Sequence, residues 1–444
     1  MGQTGWGGVT LTVELDLSQS TDVSPDNSTT GGPGLFLLEP GVWNVTEWDL
    51  SEWMAGPVFT DITEWVLGLD VNSGFSYEMS TYQTGRLALT LDNSDGRFSP
   101  DNPSSPYRLL GFTTIGMLRP IRVTATYNNV TWPLFAGRLE SWTEEYQGAA
   151  GAVVQVTALD YFSDLADVEL FPTSAVGAGD TFGARVNRIL DAADWTGARS
   201  VDVGSATMQA TDLGGSLLDQ LRSAAEAEGG SVYASPNGTI HAEGRNALLE
   251  KDRSNKVQVT FSNVDGNDTA VAYETSSLTY EYDGSQVVNS SVFAVEGGVE
   301  QRHVNQESIN LYGLRATSTT GLIAVNDSDA LVLAKREVAL FQSPERRVES
   351  LRFFPMLQPS PARIDEAWRA LSTQRLQLRS LAKFEHDTNA GFTIDRYLYV
   401  RSLAHRITPS SWTVEVGFSS ATVWQSLFAS RWDVGVWGSS AWSW

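Results

Sequence analysis

Residues 86 to 91 read Arg-Leu-Ala-Leu-Thr-Leu, which puts Leu87, Leu89 and Leu91 on one side of an extended chain and Arg86, Ala88 and Thr90 on the other. Side chains alternate along a strand, so this period of two gives one face to bury and one to wet, whereas a helix would scatter the leucines around its axis. Similar runs recur at Ile121 to Tyr127, Val153 to Ala158, Tyr397 to Leu403 and Trp412 to Phe418, the last two joined through Thr408 to Ser411. The expected fold class is α+β, mainly β: several barrel or sandwich-like domains with a smaller α+β domain, in modules too short to be one sheet.

Helical patterns are few. Asp180 and Thr181 stand where they can cap a helix whose Phe182, Val186, Ile189 and Leu190 form one stripe. Thr211 or Asp212 is expected to cap the next, where Leu213, Leu217, Leu218, Leu221 and Ala225 face one way until Gly229 and Gly230 end it. Ser231 to Glu243 then reads as a hairpin turning at Pro236, Asn237 and Gly238. Later helices are expected at about 328–341, with Leu331, Ala334, Val338 and Phe341 on one side, and at about 364–371.

A chain of 444 residues exceeds one ordinary core. The pattern divides into an extended N-terminal arm at 1–57, a β-rich domain at 58–160, an α+β domain at 161–255, a β-rich domain at 256–421 carrying the two later helices, and a C-terminal tail at 422–444. The arm is rich in Gly, Ser, Thr, Asp and Pro around one alternating stretch, Val9 to Leu17, which fits an arm better than a core. The net charge of −23 is uneven: residues 1–200 hold 25 acids against 9 bases, and residues 201–444 hold 28 against 21, giving −16 and −7. Such a balance repels nucleic acid but suits a wall past which DNA slides without sticking; ordinary solubility is the plainer reading. With no cysteine there is no disulfide or thiolate site, and neither a signal peptide nor a membrane segment is expected, so the product should be made in the cytoplasm.

Motifs of catalysis are not met. No Gly-Lys pair offers a phosphate loop, and the run Gly177 to Gly183 has one residue too many for a dinucleotide loop and an opposing Asp180. Around Gly96 the calcium-loop pattern fails because Leu91 falls where a carboxylate is required. His241, His303, His386 and His405 make no i, i+4 pair and read as hairpin or loop residues. Carboxylate neighbours such as Glu144 and Glu145 do not reveal the cleft a glycosidase needs. The expectation is therefore no enzyme, no cofactor and no metal. What stands out instead is tryptophan at intervals of five near both ends: Trp43, Trp48 and Trp53, then Trp432, Trp437 and Trp442. That spacing fits neither helix nor strand, so these residues are candidates for interface contacts, with glycan stacking as an alternative.

Several strings, taken in order, resemble the minor tail proteins, or baseplate hub proteins, of long-tailed siphovirus-type actinobacteriophages. They include FTDITEWVLGLDVNSG, RLALTLDNSDGRFSPDNPSSPY, LRPIRVTATYNNVTWPLFAGRLESW, VTALDYFSDLA, RVNRILDAADW, LLDQLRSAAEAEGGSVYASPNGTIHAEGR and RYLYVRSLAHRITPSSWTVEVGFSSA, spread over roughly Phe59 to Ala421. The resemblance implies tail-tube-type β domains with a peripheral α+β domain, assembled as a homo-trimer at the virion tail tip. It implies as partners a distal tail protein or tail-tube ring, the tape measure protein, and other minor tail and receptor-binding proteins, with DNA passing through the lumen without specific binding. The competing readings are a hexameric distal-tail adaptor, a receptor- or glycan-binding tip protein, and a cell-wall hydrolase.

Overall fold

The computed structural model describes residues 3–6, 8–17, 59–75, 82–109, 111–146, 148 and 151–421. The protein is mainly β, with helices set beside the sheets. The strands that build the first barrel are β1 (Val9–Asp16), β2 (Phe59–Asp61), β3 (Val66–Gly74), β4 (Gln83–Asp92), β5 (Pro120–Tyr127), β6 (Val130–Tyr146) and β7 (Ala152–Asp160). They pair in the order β1-β5-β6-β7-β4-β3, and β2, which runs into β3 through a short 3-10 turn, returns to pair with β1. The run of strands thus closes on itself as a barrel. Its inward residues include the leucines 87, 89 and 91 of the opening alternation, all within 1% of full burial. Val9, Leu11, Val13 and Leu15 are equally buried, because β1 lies against β5. The stretch Val9 to Leu17, expected as part of an arm, is a core strand; its flanking polar residues hid a partner strand more than a hundred residues downstream.

The small domain follows with α1 (Tyr161–Asp167), α2 (Phe182–Ala192) and α3 (Leu217–Glu228), and a sheet of β8 (Arg199–Val201), β9 (Ser231–Ala234) and β10 (Ile240–Glu243). Thr181 caps α2 through the amide of Ala184, and Gly229, at φ 69°, ends α3 in the left-handed conformation that glycine accepts. The expected cap at Thr211 or Asp212 is not used: α3 starts after Ser216, since Asp212 spends its carboxylate on the amides of Gly214 and Thr173.

The main later elements are β11 (Val257–Ser262), β12 (Thr279–Asp283), β13 (Ser290–Val295), β14 (Gln301–Val304), α4 (Gln306–Tyr312), β15 (Ala316–Leu322), α5 (Asp327–Phe341), β16 (Glu345–Phe353), α6 (Pro361–Ser372), β17 (Leu381–Asp387), β18 (Thr393–Thr408) and β19 (Ser411–Ser420). Six of them pair in the order β11-β17-β18-β19-β16-β12. Val271 hydrogen-bonds to β11 and Glu274 to β16, bringing the chain before β12 across the remaining gap. Phe261 on β11 lies 5.8 Å from both Phe353 on β16 and Phe418 on β19, as expected for strands facing across a barrel interior.

The expected block 256–421 is therefore interrupted. Between β12 and β16, the strands β13, β14 and β15 form their own sheet under α5, and Val295, Leu322, Ala324, Ala330 and Leu333 join the core of the small domain. On α5 the buried side is Ala330, Leu333, Ala334 and Val338, one position away from the expected face that counted Leu331 and Phe341. Nor are the β modules separate sheets: β3 pairs with β18, so the two barrels share one continuous sheet and one hydrophobic cluster.

In each barrel, if the six main strands are numbered along the chain, their spatial order is 1-4-5-6-3-2. All corresponding pairs are antiparallel except one: the first strand runs antiparallel to the fourth in the N-terminal barrel and parallel to it in the other. Both barrels also carry a bulge at the same place. Glu140 on β6 is skipped in the pairing with β7, and Arg401 on β18 is skipped in the pairing with β19. The fold is an internal duplication that the sequence conceals.

Candidate functional site

Two junctions organise the molecule. The first is the seam between the barrels, where β3 and β18 pair from Gly74 opposite Ser402 to Leu69 opposite Ile407. Asp70 and Arg406 meet across it at 2.9 Å on the exposed side. Behind it, Trp412 packs at 5.1 Å from Trp368 on α6 and 6.5 Å from Trp132 on β6, and Tyr127 donates to Asp365 of α6 at 2.9 Å. Trp412 Nε1 donates to His405 Nδ1 at 3.2 Å, so the ring proton sits on Nε2. Burial alone pushes the His405 imidazole down to about 4, which keeps it neutral.

The second junction fastens the small domain to the barrels around Glu243. This carboxylate has no exposed surface. Lys251 approaches at 2.8 Å, Arg379 Nε at 2.7 Å, Tyr233 donates at 3.2 Å, and Arg253 closes the group. Burial pushes the carboxyl up, but Arg379, Arg253 and Lys251 together outweigh it and hold the group at about 2. Arg379 comes from the segment between α6 and β17, and its guanidinium also donates to Ser231 on β9 at 2.8 Å. Tyr82, just ahead of β4, stacks on Tyr233 at 4.8 Å. Barrel segments from both halves thus converge on one hairpin. A parallel arrangement lies within the small domain, where the buried Glu228 accepts from the amides of Ser205, Ala206 and Arg245, and Arg245 reaches Asp329 of α5 at 3.1 Å.

Both carboxylates are thus held by cationic and amide groups drawn from separate segments of the chain. A cleft of about 490 Å³ opens between α3, α5 and the second barrel, with Arg222, Glu226, Arg336 and Tyr399 in its wall. Among the described residues no group of three or more His, Asp or Glu is placed to hold a metal, and no helix is long and apolar enough to cross a membrane. Glu144 and Glu145 are adjacent on β6 and point to opposite faces, so they do not oppose each other across a cleft. Asp180, expected as a cap, instead binds Arg188 at 2.8 Å and Arg185 at 3.3 Å. The four histidines lie on strands of antiparallel hairpins, His241 on β10, His303 on β14, His386 on β17 and His405 on β18. Trp43, Trp48, Trp53, Trp432, Trp437 and Trp442 lie outside the described residues. Sequence reading missed Glu243 and Arg379; the one available signal was a carboxylate at the end of a short alternating strand, too common to single out.

No family model matches the chain, and no curated protein matches it. Solved structures do. A tail protein from Neisseria meningitidis superposes with a TM-score of 0.53 at 11% identity, over 83% of this chain and 95% of that one. The 43 kDa tail protein of a Shewanella oneidensis prophage gives a TM-score of 0.52 at 12% identity, over 83% and 97%. The fold is that of phage tail proteins. Since the overlap takes in nearly all of both relatives, the likeness covers the two barrels and the intervening domain together, and not a single barrel.

Proposed function

We propose that this chain is a structural, non-enzymatic subunit of a phage tail tip, the baseplate hub of a siphovirus-type particle, present as a homo-trimer. The observation that carries this reading is the duplicated barrel. Three copies of a chain with two barrels of the same strand order supply six similar units around one axis, which is what continues a sixfold tube. Six copies would supply twelve, which disfavours the hexameric distal-tail adaptor. The hub binds the last tube ring or distal tail protein on one side and the tape measure and receptor-binding proteins on the other, and it opens so that DNA passes. The −16 carried by residues 1–200 suits a lumen that repels phosphate. The resemblance in sequence supports an actinobacterial host. A reconstruction of the particle tests the assignment: three copies closing the tube end are expected, while six copies, or a position above the last tube ring, would overturn it.

A further inference from the structure

Within one chain the barrels are joined by the second strand of the first, β3, lying along the latter half of the fifth strand of the other, β18. Each barrel holds a counterpart of the element the other contributes. The fifth strand of the first barrel is β6, and its former half is taken by β5, as the former half of β18 is taken by β17. The latter half of β6, residues 140 to 146, has no strand on that edge among the described residues. The second strand of the second barrel is β12, which pairs with β16 on one side and with no strand on the other among the described residues. Matching the bulges at Glu140 and Arg401 makes Tyr146 the counterpart of Ile407. Ile407, under β3, is 1% exposed, whereas Tyr146 is 74% exposed, and Tyr282 on β12 is 66% exposed. The aromatic surface is bare where the seam inside the chain is covered.

We infer that β12 of one copy pairs antiparallel with residues 141–145 of β6 in the next, repeating between copies the β3·β18 seam that joins the barrels within each. The partner is a second copy of this chain, and the inference rests on the trimeric reading above. A head-to-tail contact of this kind uses two different edges, so it propagates until the ring closes. It also satisfies two rows of backbone groups that otherwise invite uncontrolled pairing. The register follows from the internal seam. Thr279 faces Ser350 as Asp70 faces Ala88, and Ser350 and Ala88 face the corresponding residues Gly417 and Thr157. Thr279 is therefore the counterpart of Asp70, and Glu145 that of Arg406, so Thr279 lies opposite Glu145 of the neighbour just as Asp70 lies opposite Arg406.

The absence of cysteine makes a direct test possible. Residues directly opposite in an antiparallel pair have Cα atoms about 4.5–5.5 Å apart, within reach of a disulfide. The full-length double variant Thr279→Cys with Glu145→Cys, oxidised mildly, is expected to run as a covalent trimer under non-reducing denaturing conditions and to return to monomer on reduction. Thr279→Cys with Arg406→Cys is the control, because that edge of β18 is already occupied. Light scattering on the same unmodified chain over a concentration series separates the two layers of the argument. A trimer by mass without cross-linking overturns this pairing and leaves the trimeric hub intact. A chain that remains monomeric at every concentration and in the assembled tail overturns both.

Discussion

At the scale of single residues, two buried groups give the protein opposing pH responses. Asp160 at the end of β7 accepts from the amides of Gly85 at 2.7 Å and Phe162 at 3.0 Å, and burial nevertheless pushes its carboxyl up to about 7. The folded state then keeps a proton that the unfolded chain releases near pH 4, so stability falls as pH rises from about 4 to about 7, by at most about 1.4 kcal/mol per pH unit. Asp160→Asn should remove that slope in urea unfolding measured between those limits; an unchanged slope would show that Asp160 is ionised throughout. His405 works the other way. Its folded value of about 4 lies below the unfolded one, so its contribution is complete above about pH 6.5 and is lost as pH falls toward 4. His405→Gln keeps an acceptor for Trp412 without titrating, and it should flatten the acid side of the stability profile. In the native chain the two slopes partly cancel, so only the variants expose them. Glu243→Gln leaves Arg253 and Arg379 without their counter-charge, and Lys251 with Asp202 alone at 3.0 Å, and should destabilise by about 3–5 kcal/mol. A loss under about 1 kcal/mol in the same assay would mean the junction is held mainly by the stacked tyrosines.

At the scale of elements, local signals were legible wherever the cause was local. The leucine alternation of β4, the Thr181 cap, the Gly229 stop and the β9–β10 turn all depend on residues within a few positions of each other. Reading failed where a distant partner decided the outcome. Val9 to Asp16 became core because of β5, Asp212 was drawn away from capping by Thr173, and Glu243 found Arg379 only through the folded chain. The duplication stayed hidden for a related reason: Leu139-Glu140-Ser141-Trp142 and Val400-Arg401-Ser402-Leu403 share a bulge but only one residue. Close backbone approach is another such constraint. A Cβ at Gly137 on β6 would come within 2.0 Å of the Leu159 carbonyl oxygen on β7. Gly137→Ala should therefore cost about 1–3 kcal/mol, seen as a lower Tm, while Gly68→Ala, whose nearest neighbour stands at 3.5 Å, should cost less. Equal losses would remove the steric explanation.

For the whole molecule, charge sets the conditions of assembly. The edges inferred to meet carry Glu140, Glu144 and Glu145 on β6 and Glu281 and Asp283 on β12. Acids on both sides oppose association when poorly screened, and the Debye length shortens from about 10 Å at 0.1 M salt to about 3 Å at 1 M. Raising salt across that range should favour the trimer in sedimentation or light scattering; dissociation by salt would mean that opposite charges hold the copies together. The covalent link between the barrels has a further, kinetic meaning. Six separate barrels would form the six contacts of such a ring through five associations, each losing translational and rotational freedom. A tandem chain has already made every second contact during its own folding, at the high effective concentration of a tether, and leaves three. It also fixes the ratio of the two barrel types at one to one without any regulation of synthesis. In the proposed ring, substitutions in one barrel alter alternate positions around the rim, so a sixfold surface and a threefold set of attachments can diverge independently on the same polypeptide.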